Sequence, residues 1–400
     1  MRNIQLVETY KLIYFIYFIF IFLVMFSSIS ILSIKLLFWG KIAYIILLLV
    51  LFIYFVNKGF LSKNNFIFWM VFSLPLWLSF IFNINEGVNL FRTLNFVLFY
   101  PLCFFVFFCF LYTYGLKKTL FPLMASFFII LILSLMQITG IYEFNFYSEN
   151  SDYLEFYNEI SMRDGVLAVT GIYLNQNILA SVMMVSIYCF FIYYYLSKGW
   201  QSYLIIFLVF LSFFTLLLTM ARASIFSLLI GFFVFLFFSN LRVYIKILFL
   251  LFGFFVFIFF YNSDYYDLFL TRVSDSGLSY RDVIWSDALA YFEKNLFFGL
   301  GLGNYTFFEN YRFYSTHNFY LFLLVSLGVF GSSSILLFFL IFIRRAIMVF
   351  FNAKENLLFI CVILSSMIHQ FFEVTLDSPF NPLSLFFILT ISYFFKTDKE

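Results

Sequence analysis

Of 400 residues, 64% are hydrophobic and only 11% charged, with a mean hydropathy of +1.03. A soluble globular chain carries about 25% charged residues, so this composition excludes a water-soluble domain. A net charge of +3 gives no electrostatic support for a nucleic-acid partner.

The 70 Phe and 29 Tyr read as filler for lipid-facing positions before any functional use. Cys103, Cys109, Cys189 and Cys361 each lie inside an apolar run, without metal-ligand spacing, and read as small core residues. The first apolar run starts near Leu12 with no small-residue cleavage site, which predicts a retained helix rather than a signal peptide.

Apolar runs of roughly 18 or more residues, enough to cross a hydrocarbon core, recur from end to end. They predict an all-α, polytopic membrane protein of about 12 transmembrane helices. The predicted helices are 12–34, 42–57, 65–83, 93–114, 119–140, 168–196, 201–220, 223–240, 245–261, 317–343, 356–374 and 380–396. The seventh and eighth runs touch at Ala221–Arg222, which asks for a tight turn or a broken helix. The expected organisation is five N-terminal helices over 1–140, a smaller outer loop at 141–167, and a region at 168–400. That last region holds a large outer loop, 262–316, ahead of the tenth helix.

With the N-terminus placed in the cytoplasm, most basic residues fall on inner segments, among them Lys58, Lys63, Lys117, Lys118, Lys198, Arg344 and Arg345. Short, basic inner loops satisfy the positive-inside rule and put both termini in the cytoplasm. The acids show the opposite bias, and the long polar segments lie outside. The expected setting is therefore a bacterial inner membrane with a periplasmic working face. Chemistry there cannot draw on cytoplasmic nucleotides, so the energy must be stored in the substrate, as in a lipid-pyrophosphate-linked sugar. Gly299-Leu300-Gly301-Leu302-Gly303 is not a phosphate loop, because no strand precedes it and no Lys-Ser/Thr follows.

A few residues in these outer segments can carry chemistry. Arg222 interrupts two apolar runs, where an unpaired guanidinium costs several kcal/mol by order of magnitude. It either snorkels to the headgroups or clamps a diphosphate with its planar fork. Arg281 opens an amphipathic stretch with Ile284, Ala288, Tyr291 and Phe292 on one face, predicting a surface helix. Its alternatives are a salt bridge to Asp282 or Asp287. His317 stands where the large outer segment re-enters the membrane, and a neutral imidazole can take a proton from a sugar hydroxyl. His369 precedes Glu373 by four residues on the expected eleventh helix, so the pair would orient a sugar, hold a second base or only stabilise the helix. Arg163 closes the smaller outer segment, and Asn175 and Asn177 enter the sixth helix, to line a substrate cavity or to cross-link helices. Asn318 follows His317 as a further substrate-binding candidate. No metal site and no cofactor is expected.

Four stretches together resemble the O-antigen ligase/polymerase superfamily (its Wzy_C region). They are Gly171–Asn177, Thr219–Ser224 around Arg222, Arg281–Trp285 leading to Asn295–Gly301, and His317-Asn318 with Gly328 eleven residues on. The last fits a His-x10-Gly box. An Arg-x3-Leu box is met at Arg222 except that Phe226 replaces Leu. The resemblance implies a metal-independent, inverting glycosyltransferase of the GT-C general type. It assigns His317 to activating the acceptor hydroxyl, and Arg222 and Arg281 to the undecaprenyl pyrophosphate of the donor. It implies as partners an undecaprenyl-pyrophosphate-linked oligosaccharide, the bilayer and a separate chain-length-regulating co-polymerase. The Ser-Tyr-Arg-Asp-x-x-Trp stretch and Phe226 favour a polymerase of lipid-linked repeat units over a ligase passing polymer to lipid A core. A lipid-linked glycan flippase is the alternative from another class, but it calls for internal repeats that the chain lacks.

Overall fold

The computed structural model describes residues 2–26, 34–60, 63–84, 88–141, 169–173, 175–239, 243, 246–247, 251, 281–303, 316–349 and 354–396. Arg163 and most of the expected ninth helix and outer loops lie outside these. The described residues are helical, with no strand among them. We number the helices α1 (Arg2–Phe26), α2 (Ile34–Asn57), α3 (Lys63–Phe82), α4 (Leu90–Ile138), α5 (Gln176–Tyr195), α6 (Trp200–Leu218), α7 (Arg222–Phe238), α8 (Arg281–Lys294), α9 (Phe319–Val349), α10 (Lys354–His369) and α11 (Pro382–Lys396). Six are long and apolar enough to cross a membrane: α1, α2, α4, α5, α6 and α9. Shorter apolar helices lie at Ser73–Phe82, Arg222–Phe238, Asn356–His369 and Pro382–Lys396.

Two of the long helical runs are broken, one where the sequence asks for a break and one where it does not. The separate helices expected at 93–114 and 119–140 are the two arms of the run α4. Gly115 breaks it, with φ 75° and ψ 168°, a conformation that L side chains rarely adopt. Just beyond the break, the Lys118 and Thr119 carbonyls accept hydrogen bonds from the Tyr14 and Tyr17 hydroxyls of α1, both at 3.0 Å.

The second break is at Gly328 in α9, with φ 63°. There the chain segment after α8 is spliced into the helix. Leu300 N–H donates to Val325 O at 2.8 Å and Gly301 N–H to Ser326 O at 2.9 Å, while Val329 N–H donates to Leu296 O at 2.8 Å. The Ser79 hydroxyl of α3 secures the same segment through Phe298 O at 2.6 Å. The glycine-rich 299–303 stretch thus spends amides on α9 carbonyls, consistent with its not being a phosphate loop.

The core of the bundle is α5, walled by α4, α6, α7, α10 and α11. Across its middle, the Tyr188 hydroxyl donates to Ser365 Oγ at 2.7 Å and Ser365 Oγ donates to Ser227 O at 2.8 Å. A Cβ at Gly231 would collide with both side-chain oxygens, so the small residue lets α7 close on α5 and α10. This cross-link sets α7 and α10 antiparallel: Ser227 faces Ser365 and Gly231 faces Cys361, which brings the start of α7 to the end of α10. As the amphipathic pattern predicts, α8 buries Ile284 and Ala288. Trp285, Tyr291 and Phe292 pack around Leu300, Leu321 and Val325.

Gly328→Ala forces a side chain into a left-handed conformation and against the Phe297 carbonyl, where nothing but backbone can give way. The expected cost is about 1–3 kcal/mol. Gly40→Ala, with nothing within 4 Å of the added carbon, serves as the neutral control. Unfolding followed by a thiol-reactive dye, which reads exposure of the four buried cysteines, should show a lower midpoint for G328A alone.

Candidate active site

At one end of the bundle the start of α5, the start of α8, the entry to α9 and the turn after α10 meet on a single carboxylate, Glu373. Its Oε1 accepts from Asn177 Nδ2 at 2.8 Å and from Arg281 Nη2 at 3.4 Å, and its Oε2 accepts from His317 Nδ1 at 3.3 Å. The Glu373 side chain is 12% exposed, against 23% for Arg281 and 27% for His317. The acid is thus the covered centre, with cation and imidazole reaching in from the more open side. Arg222 stands within electrostatic reach of Arg281, and His369 of both Glu373 and Arg281. One guanidinium and two imidazoles therefore surround the acid, with the second guanidinium beside the first.

Each side chain is held by its own local structure. α10 ends at His369, earlier than the expected 374, but Glu373 N–H still donates to His369 O at 3.0 Å, closing one last turn that keeps both residues on one side. Beyond it, buried Gln370 ties the loop: its Nε2 donates to Thr375 Oγ1 at 2.7 Å, and its Oε1 accepts from Thr375 N–H and Leu376 N–H, both at 3.1 Å. The Gln370 carbonyl accepts from Phe319 N–H at 2.8 Å, which fastens the His317 segment to the Glu373 loop. Trp285 Nε1 donates to Thr316 O at 2.9 Å from the α8 side. Between these ties His317 sits at φ 48°, in the left-handed region that non-glycine residues enter only where their surroundings enforce it.

The sequence candidates divide. Arg222, Asn177, Arg281, His317, His369 and Glu373 come together. The Asn175 side chain caps α5 by accepting from Asn177 N–H at 2.7 Å, and the Asn318 side chain caps the start of α9 by accepting from Leu321 N–H at 3.0 Å. Each places its neighbour. Arg281 pairs with Glu373 rather than with the sequence-near Asp282 or Asp287 considered from sequence. Gln370 and Thr375 went unnoticed; a lone glutamine beside His369 at the end of an apolar run was the available signal. Asp377, four residues past Glu373, is a second carboxyl in the same loop, within electrostatic reach of Arg92 on α4.

The two acids are tuned in opposite directions. Burial by itself would push the Glu373 carboxyl up, but the hydrogen bond and charge of His317, with the charge of Arg281, overcome it and hold the group below its ordinary value. At Asp377 burial wins over the opposing charge of Arg92, and the carboxyl is pushed up. A group with a depressed folded-state pKa stabilises the fold at pH above its ordinary value, and that stability is lost as pH falls through the depressed one. The unfolding temperature of wild type should therefore exceed that of Glu373→Gln at neutral and mildly acidic pH, the gap closing only in stronger acid. A gap that closes within the ordinary carboxylate range would remove the assigned pairing.

Residues 207–339 match the family described as O-antigen ligase (Wzy_C). No curated protein matches the chain. The matched stretch runs from within α6 into α9 and takes in Arg222, Arg281, His317 and Gly328, whereas Asn177, His369, Gln370 and Glu373 lie outside it. This match supports the O-antigen ligase/polymerase superfamily as the source of the region.

Proposed function

We propose, from a chain whose residues 207–339 carry an O-antigen ligase region, that this membrane protein is a glycosyltransferase acting on lipid-linked saccharides at the periplasmic face of a bacterial inner membrane. The observation that carries the reading is the meeting of His317 and Arg281 on Glu373, 56 and 92 residues apart in sequence, with Arg222 alongside. An imidazole oriented by a carboxylate, beside two guanidiniums, is a base next to an anion clamp.

In this reading Glu373 holds the Nδ1–H of His317, which makes Nε2 the basic nitrogen of the ring. As the acceptor hydroxyl oxygen attacks the anomeric carbon of the donor, Nε2 takes its proton. The bond from that carbon to the diphosphate oxygen breaks, and the lipid diphosphate leaves with the electron pair. Arg222 and Arg281 stabilise the charge that develops on it, without any metal. A single displacement inverts the anomeric centre. The chemistry lies in the 168–400 region, with the 1–140 helices supporting it, and undecaprenyl pyrophosphate is the carrier.

Polymerisation of repeat units is the preferred reaction, on the Ser-Tyr-Arg-Asp-x-x-Trp stretch whose Arg281 reaches the site and whose Trp285 supports the His317 segment. Phe226, 51% exposed, packs its ring 6.2 Å from Phe372, the residue before Glu373. Ligation to lipid A core is the second reading, favoured by the description of the matched family.

A lipopolysaccharide gel from a strain lacking the gene distinguishes them. Core bearing a single repeat unit identifies a polymerase, bare core with polymer left on the carrier identifies a ligase, and an unchanged ladder overturns both. On complementation, His317→Ala should lower transfer by about 10²–10⁴-fold, the span of general-base catalysis. Glu373→Gln should lower it less, because it removes orientation and charge but leaves the base. Wild-type chain length with H317A, at normal protein level, would exclude the assigned base.

A further inference from the structure

His369 is completely buried, and its Nε2 has no hydrogen-bond partner among the described residues. An unmatched buried donor or acceptor costs about 1–3 kcal/mol, so its presence asks for a reason. Thr375 Oγ1, which accepts from Gln370 Nε2, lies 3.5 Å from His369 Nδ1, and its hydroxyl hydrogen is assigned to that contact. With Nδ1 accepting, the neutral ring carries its proton on Nε2. The unmatched group is therefore an N–H donor, on a residue whose carbonyl already holds the Glu373 amide at 3.0 Å. At i and i+4 of one closed turn, the two side chains are neighbours.

Glu373 has an evident use for such a donor. Its partner Arg281 sits at 3.4 Å and is also one of the two guanidiniums offered to the donor diphosphate. A dianionic diphosphate competes for that guanidinium and draws it outward. The carboxylate then loses a donor at the moment when it must stay charged to orient His317.

We propose that His369 is a positioning residue that takes over from Arg281, its Nε2–H bonding Glu373 when the diphosphate engages Arg281. This rests on the functional reading above. The groups facing Glu373 are Arg281 from α8, His317 from the entry to α9, His369 from α10 and the neutral Asn177 from α5, with Arg222 from the start of α7 beside Arg281. Among these, His369 is the one that does not also serve substrate in the proposed mechanism, Asn177 aside. Asn177 is already engaged at 2.8 Å.

The test compares His369→Phe, which removes the donor, with His369→Gln, whose amide restores an N–H at similar reach. In the full chain in detergent, the pH at which the unfolding gap between each protein and its Glu373→Gln derivative closes is measured with and without inorganic pyrophosphate. With pyrophosphate, that closing pH should rise in H369F and stay put in wild type and H369Q. In transfer assays H369F should lose about ten-fold in kcat with donor KM nearly unchanged, and H369Q should recover most of it.

Equal pH behaviour of H369F and wild type with pyrophosphate bound overturns the proposal, as does an H369Q no better than H369F. If H369F does not fold, H369Q against wild type still decides, since a rise in its closing pH overturns the hand-over. The pH measurement needs no turnover. Absence of transfer by wild type would thus sink the glycosyltransferase reading while leaving the His369–Glu373 result to stand or fall alone.

Discussion

A carboxylate taken out of water must be met by donors, and the arrangement at this end of the bundle follows from how Glu373 meets that demand. Its two oxygens collect an amide from α5, a guanidinium from α8 and an imidazole from the entry to α9. Removing any one leaves a buried charge partly unmatched, which costs more than the bond itself contributes. The same pairing that stabilises the acid fixes the ring of His317 and the side of Arg281. Structural satisfaction and catalytic orientation are in this site one set of contacts.

Such a set can form only if several helices end at one level, and the sequence achieves this with interruptions rather than regular elements. α6 stops at Leu218 and α7 restarts at Arg222, with Met220 at φ 54° between them. α9 is broken at Gly328 and repaired by carbonyls and amides of the 296–301 segment, so that segment holds α8 against the bundle. The glycine eleven residues after His317 acts at a distance. It seats the stretch that carries α8, and α8 carries Arg281. In a membrane, broken helices persist only where freed backbone groups find partners inside the protein, and both breaks in α9 and α4 show such partners.

How much of this could be read from sequence depends on the range of the interaction. Hydropathy placed the apolar runs and the Ala221–Arg222 turn, because membrane thickness and helix rise are fixed lengths. The α8 face was legible from Ile284 and Ala288, which are three and seven residues beyond Arg281 on the same helix. Arg222, Arg281 and His317 stood out because a polar group beside an apolar run has a known cost. The partner of Arg281 was not legible: Asp282 and Asp287 are near in sequence, Glu373 is near in space, and spacing says nothing about a contact 92 residues away. Gln370 was hidden for another reason, since its work is to knot a loop whose shape exists only after folding. The break at Gly115 was legible as the gap, holding Lys117 and Lys118, between two apolar runs.

The paired acids of this loop show why position outweighs residue type. Glu373 and Asp377 are four residues apart, both covered, and both near an arginine. Glu373 has a hydrogen-bonded imidazole as well as a guanidinium and is held ionised, whereas at Asp377 burial outweighs the charge of Arg92 and a backbone hydrogen bond, and the group is biased toward its neutral form. Exchanging the two would leave composition and charge unaltered, and the carboxyl at 373 would still be the one held ionised, though on a shorter side chain with less reach to His317. On the proposed mechanism that ring needs a fully charged neighbour to hold its Nδ1–H and to balance the imidazolium formed when Nε2 takes the proton. The Gln370 knot, by setting which of the two acids faces inward, therefore helps to choose the acid that supports the base.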